Sequence, residues 1–211
     1  MKRRFILPAL FAVGALLLTG GCVSRFRDTA TSAKPVIYLY PEETSEVSVT
    51  LDYAGELTCT YPAYADGWQV TAEPDGTLTD RAGKRYNYLF WEGESSTVWD
   101  FSKGFCVKGE DTAEFLRQTL AEIGLTDREA NEMIVYWLPR MQNNPYNLIA
   151  FQNEVYEQTA ALTIEPEPDS LLRVFMAWKP MDRAVEIERQ EFLPFVREGF
   201  TAVEWGGCEI K

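Results

Sequence analysis

Histidine is missing from all 211 residues of this chain. That absence excludes Ser-His-Asp and Cys-His relays, His-Glu-x-x-His zinc sites and imidazole acid–base work. An enzyme built on this chain would have to use carboxylates, tyrosine, lysine, cysteine or a hard metal held by oxygen. Positive charge is scarce too: 20 Lys and Arg face 32 Asp and Glu, for a net charge of −12. So acidic a surface repels nucleic acid and anionic lipid headgroups, and no nucleic-acid partner is expected. Cysteine is sparse, with four in the chain, and no Cys-x-x-Cys spacing supports a redox role. No motif calls for a cofactor, and there is no internal repeat or low-complexity tract. What the chain does have is apolar substance. Apolar residues make up 46% and aromatics 13%, enough for a large core and against global disorder.

Long apolar runs are absent except at the start. Lys2, Arg3 and Arg4 form a basic tip, Phe5 to Leu18 is almost unbroken in its apolarity, and Thr19-Gly20-Gly21-Cys22 closes the stretch. This is the order of a secretory signal: basic, apolar, then small. A helix through the run would rise roughly 20 Å against a hydrocarbon core of roughly 30 Å, too short for a permanent span. With its terminal cysteine, the segment resembles a bacterial lipoprotein signal. Thr19 stands where such signals usually have leucine, and Leu18 lies one position earlier. The resemblance implies a signal peptide over residues 1–21, a diacylglycerol thioether on Cys22, and an extracytoplasmic protein anchored to the bacterial cell membrane by lipid. Ordinary cleavage near Gly21 is the alternative and would release a soluble secreted protein. Removing Lys2, Arg3 and Arg4 from a chain at −12 leaves −15, so acyl chains rather than a basic patch would have to hold the membrane. Residues 22–33 then read as the lipidated cysteine and a flexible tether, and 34–211 as a single α+β domain.

The first third of that domain alternates with period two. Val36–Tyr40 is a strand. Val47, Val49, Leu51 and Tyr53 share a face, as do Leu57, Cys59 and Tyr61, and then Trp68, Val70 and Ala72. Pro74-Asp75-Gly76 is a turn, Thr77–Thr79 leaves it, and Tyr86–Glu92 is a further strand. The sequence thus predicts an antiparallel meander, either one sheet of a sandwich or an open sheet covered by later elements of the chain. The period then changes. Asp111 with Glu114 suggests a capping box ahead of Leu116, Leu120 and Ile123, ended by Gly124. Thr126 with Glu129 suggests a second, ahead of Met133, Ile134 and Trp137, with Pro139 as its stop. The two helices should pack as a hairpin on one face of the sheet. Further C-terminal strands are expected at Tyr146–Phe151, Leu162–Ile164, Leu171–Trp178 and Phe200–Trp205. Two helical turns are expected over Glu154–Ala161 and one over Pro194–Glu198.

Beyond Cys22, three cysteines allow at most one internal bridge. An exported location permits Cys106–Cys208, and Cys59 reads as a small buried hydrophobe. Two strand ends carry an acid beside tryptophan and glycine: Trp91-Glu92-Gly93 and Glu204-Trp205-Gly206-Gly207. Tryptophan offers a flat platform for a sugar, Glu92 and Glu204 could divide acid and base roles, and Arg173 could orient them. Against this stands core packing by the tryptophans and solvation or ion pairing of the glutamates. No metal site is expected. An EF-hand register placing Gly76 sixth would need ligands at Thr71 and Ala82, and both fail. The strand tyrosines Tyr38, Tyr40, Tyr53, Tyr61, Tyr86 and Tyr88 fit ordinary cross-strand packing and, alternatively, a carbohydrate groove.

Five motifs occur in combination: Lys34-Pro-Val-Ile-Tyr-Leu-Tyr-Pro41, Tyr88-Leu-Phe-Trp-Glu-Gly93, Tyr136-Trp-Leu-Pro139, Arg173-Val-Phe-Met176 and Val203-Glu-Trp-Gly-Gly207. Together they resemble a family of uncharacterised exported or lipid-anchored bacterial proteins with relatives in fungi. The resemblance implies one integral fold over about Lys34 to Gly207 and assigns no catalytic residue. The expectation is a non-catalytic binding or envelope-interaction role, with a cell-envelope glycan or protein as partner. The alternative is a carboxylate-dependent hydrolase of cell-wall or carbohydrate material using Glu92 and Glu204. A pair converging at roughly 5–10 Å in an open cleft would favour the hydrolase.

Overall fold

A computed structural model describes residues 30–210. In chain order the elements are β1 (Ala30–Tyr40), β2 (Ser45–Tyr53), β3 (Glu56–Tyr61), β4 (Trp68–Ala72), β5 (Leu78–Asp80), β6 (Arg85–Tyr86), β7 (Leu89–Ser95) and β8 (Phe105–Lys108). A short 3-10 turn, Gly109–Asp111, leads into α1 (Thr112–Ile123) and α2 (Asp127–Met141). Then come β9 (Tyr146–Phe151), α3 (Asn153–Thr159), β10 (Ala160–Glu165), β11 (Ser170–Met181) and β12 (Thr201–Glu209). Seven strands form one sheet in the order β3-β7-β1-β12-β11-β9-β8, and five form a second, β10-β2-β4-β5-β6. The α+β expectation holds, with two mostly antiparallel sheets and a helical hairpin.

Alternation explains the layering. On β1, Ile37 and Leu39 join Val47, Val49, Trp68, Val70 and Leu78 of the smaller sheet in one core. Val36 and Tyr38, the residues between, join Leu116, Leu120, Met133 and Trp137 of the helices in another. The large sheet is therefore a middle layer, covered by strands on one face and by α1 and α2 on the other. Strands buried on both faces lose the polar half of their pattern, which is why Thr201 to Cys208 is buried throughout. Trp68–Ala72, β5 and β6 belong to the smaller sheet. The expected Tyr86–Glu92 strand is broken at Asn87–Tyr88, where the chain crosses from the smaller sheet to the larger.

Several expectations are corrected. Strand β1 begins at Ala30, inside the stretch read as tether, with Ala30, Thr31 and Ser32 opposite Ser95, Glu94 and Gly93. The expected capping box at α1 does not form. Asp111 is in helical conformation and makes no side-chain cap, and Glu114 is taken by Arg117 and Gln118. The second box does form, Thr126 and Glu129 each serving the other's backbone N–H. Helix α2 runs through Pro139 to Met141. A proline leaves the carbonyl four residues back without its donor; that residue, Val135, is on the exposed face, where water can serve it.

The bridge between Cys106 and Cys208 is not made; Cys59, Cys106 and Cys208 are all free. Cys106 is on β8 and Cys208 on β12, with β9 and β11 between them. Three strand spacings come to about 14 Å, twice the reach of a disulfide. Cys59 is exposed rather than buried, because β3 bulges between Leu57 and Cys59. One extra residue reverses the alternation beyond it, so Thr60 is half-buried while Cys59 and Tyr61 face out.

Strands β11 and β12 are parallel, so residues 182–200 must cross the molecule between them. This strap makes no helix, Pro194–Glu198 included. Its conformation is set from outside. Gly104 N–H donates to Glu188 O at 2.8 Å, Gln190 spans the backbone of Phe151 with two bonds of 2.8 Å, and Arg197 pairs with the fully buried Glu129 at 2.6 Å. Arg197 also caps α1 through Gly124 O, and Phe195 Cβ lies where a side chain on Gly124 would go.

Candidate functional site

Three of the sequence-picked residues do come together, inside the core. Arg173 on β11 lies directly opposite Glu204 on β12 in the parallel register. Its Nε donates to Glu204 Oε2 at 2.7 Å, and Nη2 stands 2.7 Å from the same oxygen, too far out of line for a second hydrogen bond. Trp91 Nε1 donates to the other oxygen, Oε1, at 3.0 Å. Glu204 is wholly buried and Arg173 nearly so. Tyr156 of α3 completes the group, its ring 4.6 Å from the guanidinium and stacked on Trp91 and Phe175. The Tyr156 hydroxyl lies beside Glu204 and Arg173 without a well-formed bond to either. Burial, and then the Glu204 charge, push it far above the ordinary tyrosine range. A carboxylate sealed from water with both oxygens engaged holds strands together.

Glu92 and Trp205 are on the other side. Glu92 follows Trp91 in a regular strand and is half-exposed on the helix face, where its charge reaches Tyr136. Trp205 packs with the helices, fully buried, its Nε1 donating to Tyr38 Oη at 3.2 Å. Glu92 and Glu204 therefore point to opposite faces of one sheet, and Trp91 and Trp205 share no cleft. The acid–base pair that the sequence allowed as a candidate is not brought together, and the alternative weighed against it, buried tryptophans with an arginine-paired glutamate, describes Trp91, Trp205 and Glu204. The strand-end glycines also have structural partners: a side chain on Gly206 would meet Pro35, one on Gly207 would meet Met176 O and Trp137, and one on Gly93 would meet the Tyr53 ring. Cys22 lies outside the described residues.

A cleft of about 530 Å³ opens elsewhere, at the outer edge of the large sheet. Strand β8 floors it with Phe105, Cys106 and Val107; α1 supplies Phe115, Gln118 and Glu122; the strap supplies Val185, Ile187 and Arg189. Arg189 pairs with Glu122 at 3.5 Å and lies over Phe105 at 5.5 Å. Val185 N–H reaches Cys106 Sγ at 3.4 Å. Thr119 and Glu186 complete a lining that is half polar and half apolar, which suits an amphipathic small ligand or a chain end. Sequence reading missed β8 and this site with it. Four residues give too short a period to register, and the strap reaches β8 from about 80 positions away in the chain.

Fold and site define a three-layered α+β protein with a surface cleft and, in its core, a buried glutamate held by arginine and tryptophan. The chain belongs to the same family as an uncharacterised Butyrivibrio fibrisolvens protein described as lying in the bglA 3′ region. The two are 41% identical over 97 residues, which is 44% of this chain and 100% of that relative. No family model matches the chain, and no solved structure matches it. Among the described residues, no helix is long and apolar enough to cross a membrane.

Proposed function

We propose that this is an extracytoplasmic protein, lipid-anchored through Cys22, with a non-catalytic binding role in the cell envelope. One observation carries the choice of binding over hydrolysis: Glu204 is sealed in the core by Arg173 and Trp91 while Glu92 faces the opposite layer. Carboxylate-dependent glycoside cleavage needs two such groups flanking one bond. The cleft over β8 supports binding, since Phe105, Phe115 and the Arg189–Glu122 pair can seat a sugar or peptide chain. The anchor rests on the signal-like residues 1–22.

Two measurements test this reading. Labelled palmitate should enter the full chain and be lost in Cys22→Ala; labelling unchanged by that substitution sinks the anchor. The soluble chain from Val23 should co-sediment with purified cell-wall sacculi and release no soluble sugar. Phe115→Asp, in the cleft wall, should abolish co-sedimentation. Released sugar, or binding indifferent to Phe115, overturns the reading.

A further inference from the structure

Strand β1 carries a local irregularity that a plain structural strand has no need of. Its pairing slips between Ala33 and Val36 against β12 and between Ser32 and Val36 against β7. Within the slip, Lys34 has φ 53°. A left-handed lysine is uncommon, and the proline that follows restricts it further. Such strain persists only where surrounding packing over-determines it; here Pro35 is wedged against Gly206. Bulges of this kind re-aim a side chain.

The side chain is aimed into a ring of aromatics. Lys34 Nζ lies 5.1 Å from the Tyr136 ring, 5.4 Å from Trp205 and 6.0 Å from Tyr88. These are cation–π distances, and they hold the ammonium in place without giving it a hydrogen-bond acceptor. Lys34 is half-buried, yet among the described residues its ammonium has neither a hydrogen-bond acceptor nor an ion-pair partner. The acid whose charge acts on it, Glu132, is already taken by the Tyr38 hydroxyl at 2.9 Å and by Arg128 at 3.8 Å. A second cation without an acid partner stands beside the first. Arg140 is exposed, lies 4.4 Å over the same Tyr136 ring with Nη1 donating to Tyr136 O at 2.8 Å, and has no carboxylate partner among the described residues. Two cations without an acid partner thus meet on one tyrosine ring. The half-exposed Glu92, whose charge also reaches Tyr136, lies on the same face.

We infer that Lys34, ringed by Tyr88, Tyr136 and Trp205 and seconded by Arg140, is a binding site for a ligand carboxylate. Three free N–H donors on a positioned, partly dehydrated ammonium form short charge-assisted bonds to such a group. The rings exclude water from its sides. The site is on the helix face of the large sheet, apart from the cleft, and depends on neither the cleft nor the lipid anchor.

The test uses the soluble chain from Val23, labelled with ¹³C at lysine Cε. The Lys34 signal is assigned by its loss in Lys34→Met, a substitution that keeps the apolar stem. Glucuronate should shift the Lys34 signal saturably and leave the other lysines still. Glucose, the same ring without the acid, should bind about tenfold more weakly or worse, the loss expected for one charge-assisted hydrogen bond. Arg140→Met removes an exposed side chain with little risk to folding, and should weaken glucuronate about threefold, as expected for a solvent-exposed ion pair. An unmoved Lys34 signal, equal affinity for glucose, or equal affinity for inorganic phosphate would each overturn the carboxylate assignment.

Discussion

Arg173 and Glu204 show how a charged pair can look catalytic in a sequence and be structural in the fold. Each lies on a strand of the middle layer and has water on neither side. Removing one partner leaves the other charge buried and uncompensated, at a cost of about 3–5 kcal/mol. Arg173→Met should therefore lose that much stability in urea unfolding, and the double variant Arg173→Met, Glu204→Leu should recover most of it. A single variant as stable as the parent would show that Glu204 finds another proton or partner. Part of this geometry was legible. Neighbours on a strand face opposite ways, so Trp91 cannot share a face with Glu92, nor Glu204 with Trp205. Alternation alone could not say which member of each pair meets which. That depends on how β7, β1, β12 and β11 are ordered in the sheet, which brings Trp91 to Glu204 across 113 positions of sequence.

At the scale of elements, what could be read was what is local. Helix α2 starts where Thr126 and Glu129 say it does because both groups of its capping box lie within one turn. Thr126→Ala should lower stability by about 0.5–2 kcal/mol in thermal or urea unfolding. Helix α1 carries the same residue pattern to a different end. Bonds from Arg117 and Gln118 hold the Glu114 carboxyl down to about 2. A carboxyl depressed on folding adds stability above its unfolded value, and that contribution is lost as pH falls through about 2. Carboxyl ¹³C shifts should show Glu114 titrating near 2, and Arg117→Gln should raise it toward the ordinary range; an unmoved titration would rule out the Arg117 contact. The strap, the β3 bulge and β8 were illegible for a different reason. Each takes its conformation from residues distant in sequence: Glu129 for Arg197, β7 for Cys59, Val185 for Cys106.

For the whole molecule, the period-two strands and the helical hairpin conveyed the α+β class, but not that one sheet would be covered on both faces. Four of the five sequence motifs meet around one side chain, through Lys34, Tyr88, Tyr136 and the buried Trp205. The fifth, through Arg173, holds the core beneath. The boundary of the fold also moves. A soluble chain starting at Lys34 omits the rungs from Ala30, Thr31 and Ser32 to β7. At about 0.5–1.5 kcal/mol for each hydrogen bond, it should unfold at measurably lower urea than a chain starting at Val23. Equal midpoints would show that those rungs add nothing.

That early start has a mechanical consequence. Seven residues separate Cys22 from Ala30, a reach of roughly 25 Å at full extension. With a lipid on Cys22, any tug between membrane and envelope would enter the protein through β1. This strand is third from one edge of its sheet and is bonded on both sides, to β7 and β12. A pull along it loads two ladders together in shear, instead of peeling an edge strand one rung at a time. The leash would be short, and it would be tied to the beam.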